Sequence, residues 1–221
     1  MSIGKLKNYT HKSHLNSYTG EFAMNLKHRQ FVKHVKKHLS KHGMRLVVGR
    51  GKSVNIGKGR CEGYFDQDKK LIKVAGDNSA FLETLLHEYC HFLQWLQKSK
   101  IYKTSEKHCL IVENWLQGKK YPEHKVKRAF YWVRKMEREC EQYAVKLIDK
   151  YELPIDKVKY IKNANCYIYA HYMMEKKRKF STFRKSPFRS QKVQRIMPSN
   201  FKAMSHQTIP QKIYDALLSC V

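Results

Sequence analysis

The stretch Leu85-Leu86-His87-Glu88-Tyr89-Cys90-His91-Phe92 constrains this chain more than any other. It sets two imidazoles and a carboxylate inside an apolar run, and burying such groups is costly unless something compensates. Phe81, Leu82, Leu85, Leu86, Phe92, Leu93 and Leu96 predict a buried helix over about residues 79–98, with Asp77, Asn78 and Ser79 supplying capping side chains. On a helix four residues turn the chain by about 400°, so His87 and His91 share a face one turn apart. Two imidazoles at that spacing suit one zinc ion (Zn2+). Glu88, beside the first, can then take a proton from a water on the metal. With 12 His in the chain and Glu equally frequent, about 0.03 such patterns are expected by chance, so the motif is informative but needs a third ligand.

Catalytic zinc generally takes three protein ligands and leaves one position open. The candidates downstream are His108, His124, Glu137, Glu139, Glu141 and His171. A helix predicted over about 123–150 carries the only dense acidic cluster, Glu137-Arg138-Glu139-Cys140-Glu141. Glu137 and Glu141 share one face at i, i+4, so one can ligate while the other orients a ligand histidine through its free ring nitrogen. Glu139 points about 200° away and is expected to face solvent. Cys90 and Cys140 are expected to pack as reduced thiols rather than to bind metal. A further helix over about 155–179 offers Tyr167, His171 and Tyr172 as candidate oxyanion stabilisers.

Around these elements the pattern predicts a helix through Phe31, Val32, Val35 and Leu39 that stops at Gly43. His34, His38 and His42 line one face of it, read here as a solvated basic face. Met44–Val48, Gly63–Asp66 and Leu71–Ala75 read as strands, the last two joined as a hairpin across Gln67–Lys70. Residues 71–75 are expected at the sheet edge, where an extended substrate could add a strand. Gly51-Lys52-Ser53 lacks the earlier glycine of a phosphate loop. Lys176–Arg195 is expected to be exposed, and a short helix is expected near 209–219.

The formal net charge is +27. Residues 1–60 contribute +13, 61–175 only +4, and 176–221 contribute +10, so the acids gather around the motif while both ends are basic. That makes the ends candidates for nucleic-acid contact. No apolar run approaches a membrane span, and Met1-Ser2-Ile3-Gly4-Lys5 lacks the apolar core of a secretion signal, so an intracellular, cytoplasmic protein is expected. We expect a basic arm over 1–25, a catalytic domain over 26–179 and a basic extension over 180–221.

His87-Glu88-x-x-His91 with Glu137-x-x-x-Glu141 resembles the gluzincin zinc metallopeptidases, in particular minimal members of the ImmA/IrrE type and phage-encoded metallopeptidases. The resemblance covers about residues 30–150. It implies a mostly helical α+β minimal zincin with a small antiparallel sheet packed on the motif helix. It also implies Glu137 as third ligand, Glu141 supporting a histidine, a peptide or protein substrate and Glu88 as general base. Cys140 and Glu141 depart from that family's Ala and its Asn or Asp, which leaves the support role of Glu141 and an exchange of Glu137 and Glu141 open. The His-Glu-x-Cys-His wording is also similar to DNA-associated SprT-like proteases, which would require a third histidine from His108, His124 or His171. A basic nucleic-acid-binding protein with a vestigial zincin core is the remaining alternative.

Overall fold

The computed structural model describes residues 26–56, 59–178, 187–201 and 208–220. The arm expected over 1–25 lies outside them. Helix α1 (Leu26–Lys41) buries Phe31, Val35 and Leu39 and ends at Gly43, whose φ of +68° suits a residue without a Cβ. Five strands follow: β1 (Arg45–Gly49), β2 (Val54–Ile56), β3 (Gly59–Cys61), β4 (Gly63–Asp66) and β5 (Leu71–Ala75). The hairpin expected across 67–70 joins β4 to β5, with Phe65 opposite Ile72.

The three-stranded sheet has the order β1-β5-β4, and β1 pairs with β5 in parallel. The fold is the mostly helical α+β arrangement expected, but its sheet is mixed rather than purely antiparallel. Strand β5 is therefore central, which corrects its placement at the edge. Leu71, Ile72, Val74 and Ala75 are all buried, as a strand covered on both faces requires. The free edges belong to β1 and β4.

Helix α2 (Phe81–Leu96) carries the motif. Its capping differs from expectation: Asn78 accepts from the Ala80 N–H (2.9 Å) and donates to the Lys52 carbonyl (3.1 Å). Asp77 accepts from the Gly51 N–H (2.6 Å), so the glycine-rich loop is moored to the start of α2. Next comes α3 (Lys100–Leu116), which the apolar pattern did not reveal, then the long α4 (Glu123–Tyr151) and α5 (Lys157–Lys177). Helix α2 is sandwiched: Leu85, Leu86, Tyr89 and Phe92 join one core with Phe31, Val35 and Leu39 of α1, Ile72 and Val74 of β5, and Cys140, Ala144 and Ile148 of α4. This burial is why its polar trio needs built-in partners.

The histidines of α1 do not form a solvated face. His34 Nε2 and His38 Nδ1 lie 3.2 and 2.6 Å from the Tyr89 hydroxyl on α2, and the Tyr151 hydroxyl is 2.9 Å from His34 Nε2. Only His42 is exposed. Of the segment expected to be exposed, Lys176–Arg195, residues 179–186 lie outside the described residues. Lys176, Lys177, Lys192 and Arg195 are exposed but Val193 is buried, and the helix expected near 209–219 is present. Beyond a 3-10 turn (Pro187–Arg189), α6 (Gln191–Ile196) and α7 (Gln211–Leu218) bury Val193, Ile213 and Leu217 against Cys166, Tyr169 and Met173 of α5. Among the described residues no helix is long and apolar enough to cross a membrane.

Candidate metal centre

Helix α2 crosses α4 so that both face the same buried space. His87 Nε2 and His91 Nε2 stand 3.1 Å apart, and Glu137 Oε2 lies 3.6 and 3.4 Å from them. The outer ring nitrogens are each held by an acceptor: His87 Nδ1 donates to Glu141 Oε1 (2.9 Å) and His91 Nδ1 donates to Gln94 Oε1 (2.9 Å). With each Nδ1 donating outward, both Nε2 atoms face inward, and each offers a lone pair when its ring is neutral. Three lone-pair donors thus converge. Glu137 Oε2 is buried and has no hydrogen-bond partner of good geometry, its near polar neighbours being those two nitrogens.

Each outer acceptor is itself anchored. Glu141 Oε2 accepts from the Tyr160 hydroxyl (2.6 Å). Gln94, fully buried, donates from Nε2 to Glu139 Oε2 (2.7 Å) and to the Met136 carbonyl (3.1 Å), which turns its Oε1 toward His91. Glu139 Oε2 also accepts from Ser99 Oγ (2.6 Å). Glu139 therefore does not face solvent as its helical angle suggested, because the α2–α3 junction covers that side of α4. The sequence reading missed Gln94. Its signal was a lone polar side chain in Phe92-Leu93-Gln94-Trp95-Leu96, three residues after a ligand candidate.

The electrostatics of this space call for positive charge. Burial opposes protonation of His87, but Glu141, with Glu88 and Glu137, pushes its pKa well above the ordinary value. His91 shifts the same way: burial works against charge and Glu137 outweighs it. Burial would lift the Glu137 carboxyl, yet His91 and His87 hold it down to about 2. Glu88 is buried, which raises its pKa. Of His87, His91 and Glu137, His87 is the most open, its side chain 18% exposed against 11% and 8%.

Cys140 offers a competing donor set, since its sulfur lies with the two histidines in a group whose ligand atoms are all within 4.8 Å. The geometry favours Glu137. Cys140 Sγ sits on the Nδ1 side of His87 (3.7 Å), where Glu141 already binds, and donates to the His87 carbonyl (3.3 Å).

The other candidates fall in different places. The Tyr167 ring stands perpendicular to His87 at 6.0 Å, and Glu137 together with burial raises its pKa, so the phenol keeps its proton. His171 packs on Tyr167 at 4.9 Å and donates from Nδ1 to the Tyr167 carbonyl (3.1 Å). Tyr172 belongs to the α5–α7 core, with the Arg134 guanidinium over its ring at 3.8 Å, and is not brought to the trio. His108 stacks on Trp132 and His124 is exposed in the first turn of α4, so neither reaches His87 and His91. Comparison of the chain with protein-family profiles, curated proteins and solved structures finds no match.

Proposed function

We propose that this protein is a zinc-dependent hydrolase of peptide bonds in which His87, His91 and Glu137 hold one zinc ion and Glu88 is the general base. The observation that carries this reading is the convergence of three inward lone-pair donors, one of them a buried carboxylate oxygen without a hydrogen-bond partner. Two histidines and one carboxylate are a donor set that suits zinc. Bound there, zinc would polarise a scissile carbonyl and acidify a water molecule.

The chain's own groups supply the rest. Glu88 takes a proton at its carboxylate from the attacking water and returns it to the leaving amine. Burial raises the pKa of that carboxylate toward the range useful for proton transfer. The Tyr167 phenol, protonated across the physiological range, donates to the developing oxyanion, and His171 steadies its backbone. The outer edge of β4, which packs on α2, is available to an extended peptide.

The test is metal content together with cleavage. The purified protein should bind about one zinc per chain, and His87→Ala or Glu137→Ala should abolish it. Glu88→Gln should keep the zinc and lower cleavage of a quenched-fluorescence peptide pool by about 100-fold or more. Full activity of Glu88→Gln, or zinc retained by Glu137→Ala and lost by Cys140→Ala, would overturn the assignment.

A further inference from the structure

Beyond the metal site, the first three turns of α4 carry a cationic and aromatic stripe that the hydrolase reading leaves unused. Residues 119–135 hold seven Lys/Arg (Lys119, Lys120, Lys125, Lys127, Arg128, Arg134, Lys135) and one acid, Glu123. Arg134 is buried against Glu175 (2.9 Å), and the other six keep their charges at the surface. At 100° per residue, Lys125, Arg128, Tyr131, Trp132 and Lys135 fall in a sector of about 120°, opposite the buried Val126, Ala129, Phe130 and Val133.

Cations and rings interleave along this sector. Lys119 and Lys125 lie over the Tyr121 ring at 5.8 and 5.5 Å. Lys135 lies over Trp132 at 4.9 Å and over Tyr131 at 5.8 Å. Trp132 is backed from α3 by the buried His108, stacked nearly parallel to it at 7°. The backing is uncharged, because burial, with Lys107 and Arg128 beside it, holds the His108 pKa below its usual value. A ring fixed from behind and fringed by ammonium groups is a platform for a flat, electron-rich partner attached to an anion.

We propose that the Tyr121–Lys135 stripe binds single-stranded nucleic acid, its aromatic rings stacking on bases while Lys125, Arg128 and Lys135 contact the phosphates. Duplexes hide the base faces that these rings would use, so the single strand is favoured. An anionic membrane would require an apolar band, yet among the described residues the exposed large apolar side chains, Leu26, Ile56, Leu110, Val158, Phe188 and Leu218, are scattered over six elements.

The experiment is fluorescence anisotropy of the full chain with labelled 20-nucleotide dT and rU strands and a 20-base-pair duplex, titrated over salt. Both strands should bind more tightly than the duplex, and the comparison of dT with rU tells whether the sugar is read. Lys125→Gln/Arg128→Gln/Lys135→Gln should flatten the log–log salt dependence by about 2, from about 0.7 per phosphate contact. A matched control, Lys33→Gln/Lys36→Gln/Lys37→Gln on α1, removes equal charge and should change the slope much less. Tyr131→Ala should weaken binding about fivefold or more at constant salt slope, and it is the safer aromatic test because Tyr131 belongs to none of the apolar cores. Equal losses from the stripe and control triples, tighter duplex binding, an inert Tyr131→Ala, or binding to phosphatidylserine vesicles but not to strands would each overturn the proposal.

Discussion

Replacing Glu139 by alanine tests whether a side chain that touches none of the proposed metal ligands nevertheless sets one of them. Glu139 Oε2 holds Gln94 Nε2 at 2.7 Å and Ser99 Oγ at 2.6 Å, and Gln94 Oε1 in turn receives the His91 Nδ1 proton at 2.9 Å. Without the carboxylate, the Gln94 amide is held by the Met136 carbonyl alone and can turn its NH2 toward His91. The imidazole would then move its proton to Nε2, the atom that faces His87 and Glu137. Losing support of this kind typically costs 10- to 100-fold in metal affinity, or about 1.4–2.7 kcal/mol. Stability should fall too, by about 1–3 kcal/mol for hydrogen bonds to a charged acceptor in a half-buried place. Zinc affinity is read by competition with a chromophoric chelator, and the His91 tautomer by nitrogen-15 NMR of the metal-free protein. The NMR arm stands even if zinc is not the ligand. A folded Glu139→Ala protein with wild-type zinc affinity and an unchanged His91 tautomer would refute the relay.

Three further outcomes follow from the same geometry. Tyr160→Phe removes the 2.6 Å donor to Glu141 Oε2 in a buried place and should cost about 1.5–3 kcal/mol in denaturant unfolding; an unchanged midpoint would show that the hydroxyl carries no stability. Gly63→Ala would set a Cβ 2.7 Å from Thr84 Cγ2 of α2 and 3.1 Å from the Lys73 carbonyl, so β4 must shift, at about 1–3 kcal/mol, and a neutral substitution would contradict the close contact. Burial, aided by Lys150, Lys41 and His42, lowers the pKa of His34 and His38 below the usual 6.5, so the unfolded chain takes up their protons first. Their contribution is full above pH 6.5 and is lost as pH falls below it, so His34→Gln/His38→Gln should show a smaller loss of stability between pH 7.5 and 5.5 than the wild type; an equal loss would place the acid sensitivity elsewhere.

Much of this architecture was legible because the apolar pattern and the burial coincide. On α2, α4 and α5 most buried positions are apolar, so spacing located them. Helix α3 escaped because its buried stripe is Ser105, His108 and Val112, correct in spacing but two-thirds polar. The central place of β5 depended on a parallel pairing with β1 that no local turn specifies, although its unbroken burial was visible as Leu71, Ile72, Val74 and Ala75. The roles of His34, His38 and Glu139 were hidden for one reason: each is polar and each meets a polar partner from a distant segment. Helical angle tells where such a side chain points, but not whether another element covers it.

That limit bears on the two acids the sequence left interchangeable. Glu137 and Glu141 have the same chemistry and lie one turn apart on one face, so spacing cannot rank them. Their partners can. Both oxygens of Glu141 are spoken for, one by His87 Nδ1 and one by Tyr160, and moving either would leave a buried donor without an acceptor. Glu137 Oε2 has no such commitment and faces the inward nitrogens of both histidines. A carboxylate saturated with hydrogen bonds orients its neighbours, whereas one left short of them is disposed to take a cation. The neighbourhood of each acid, rather than its position along α4, makes Glu137 the better candidate ligand and Glu141 the better support.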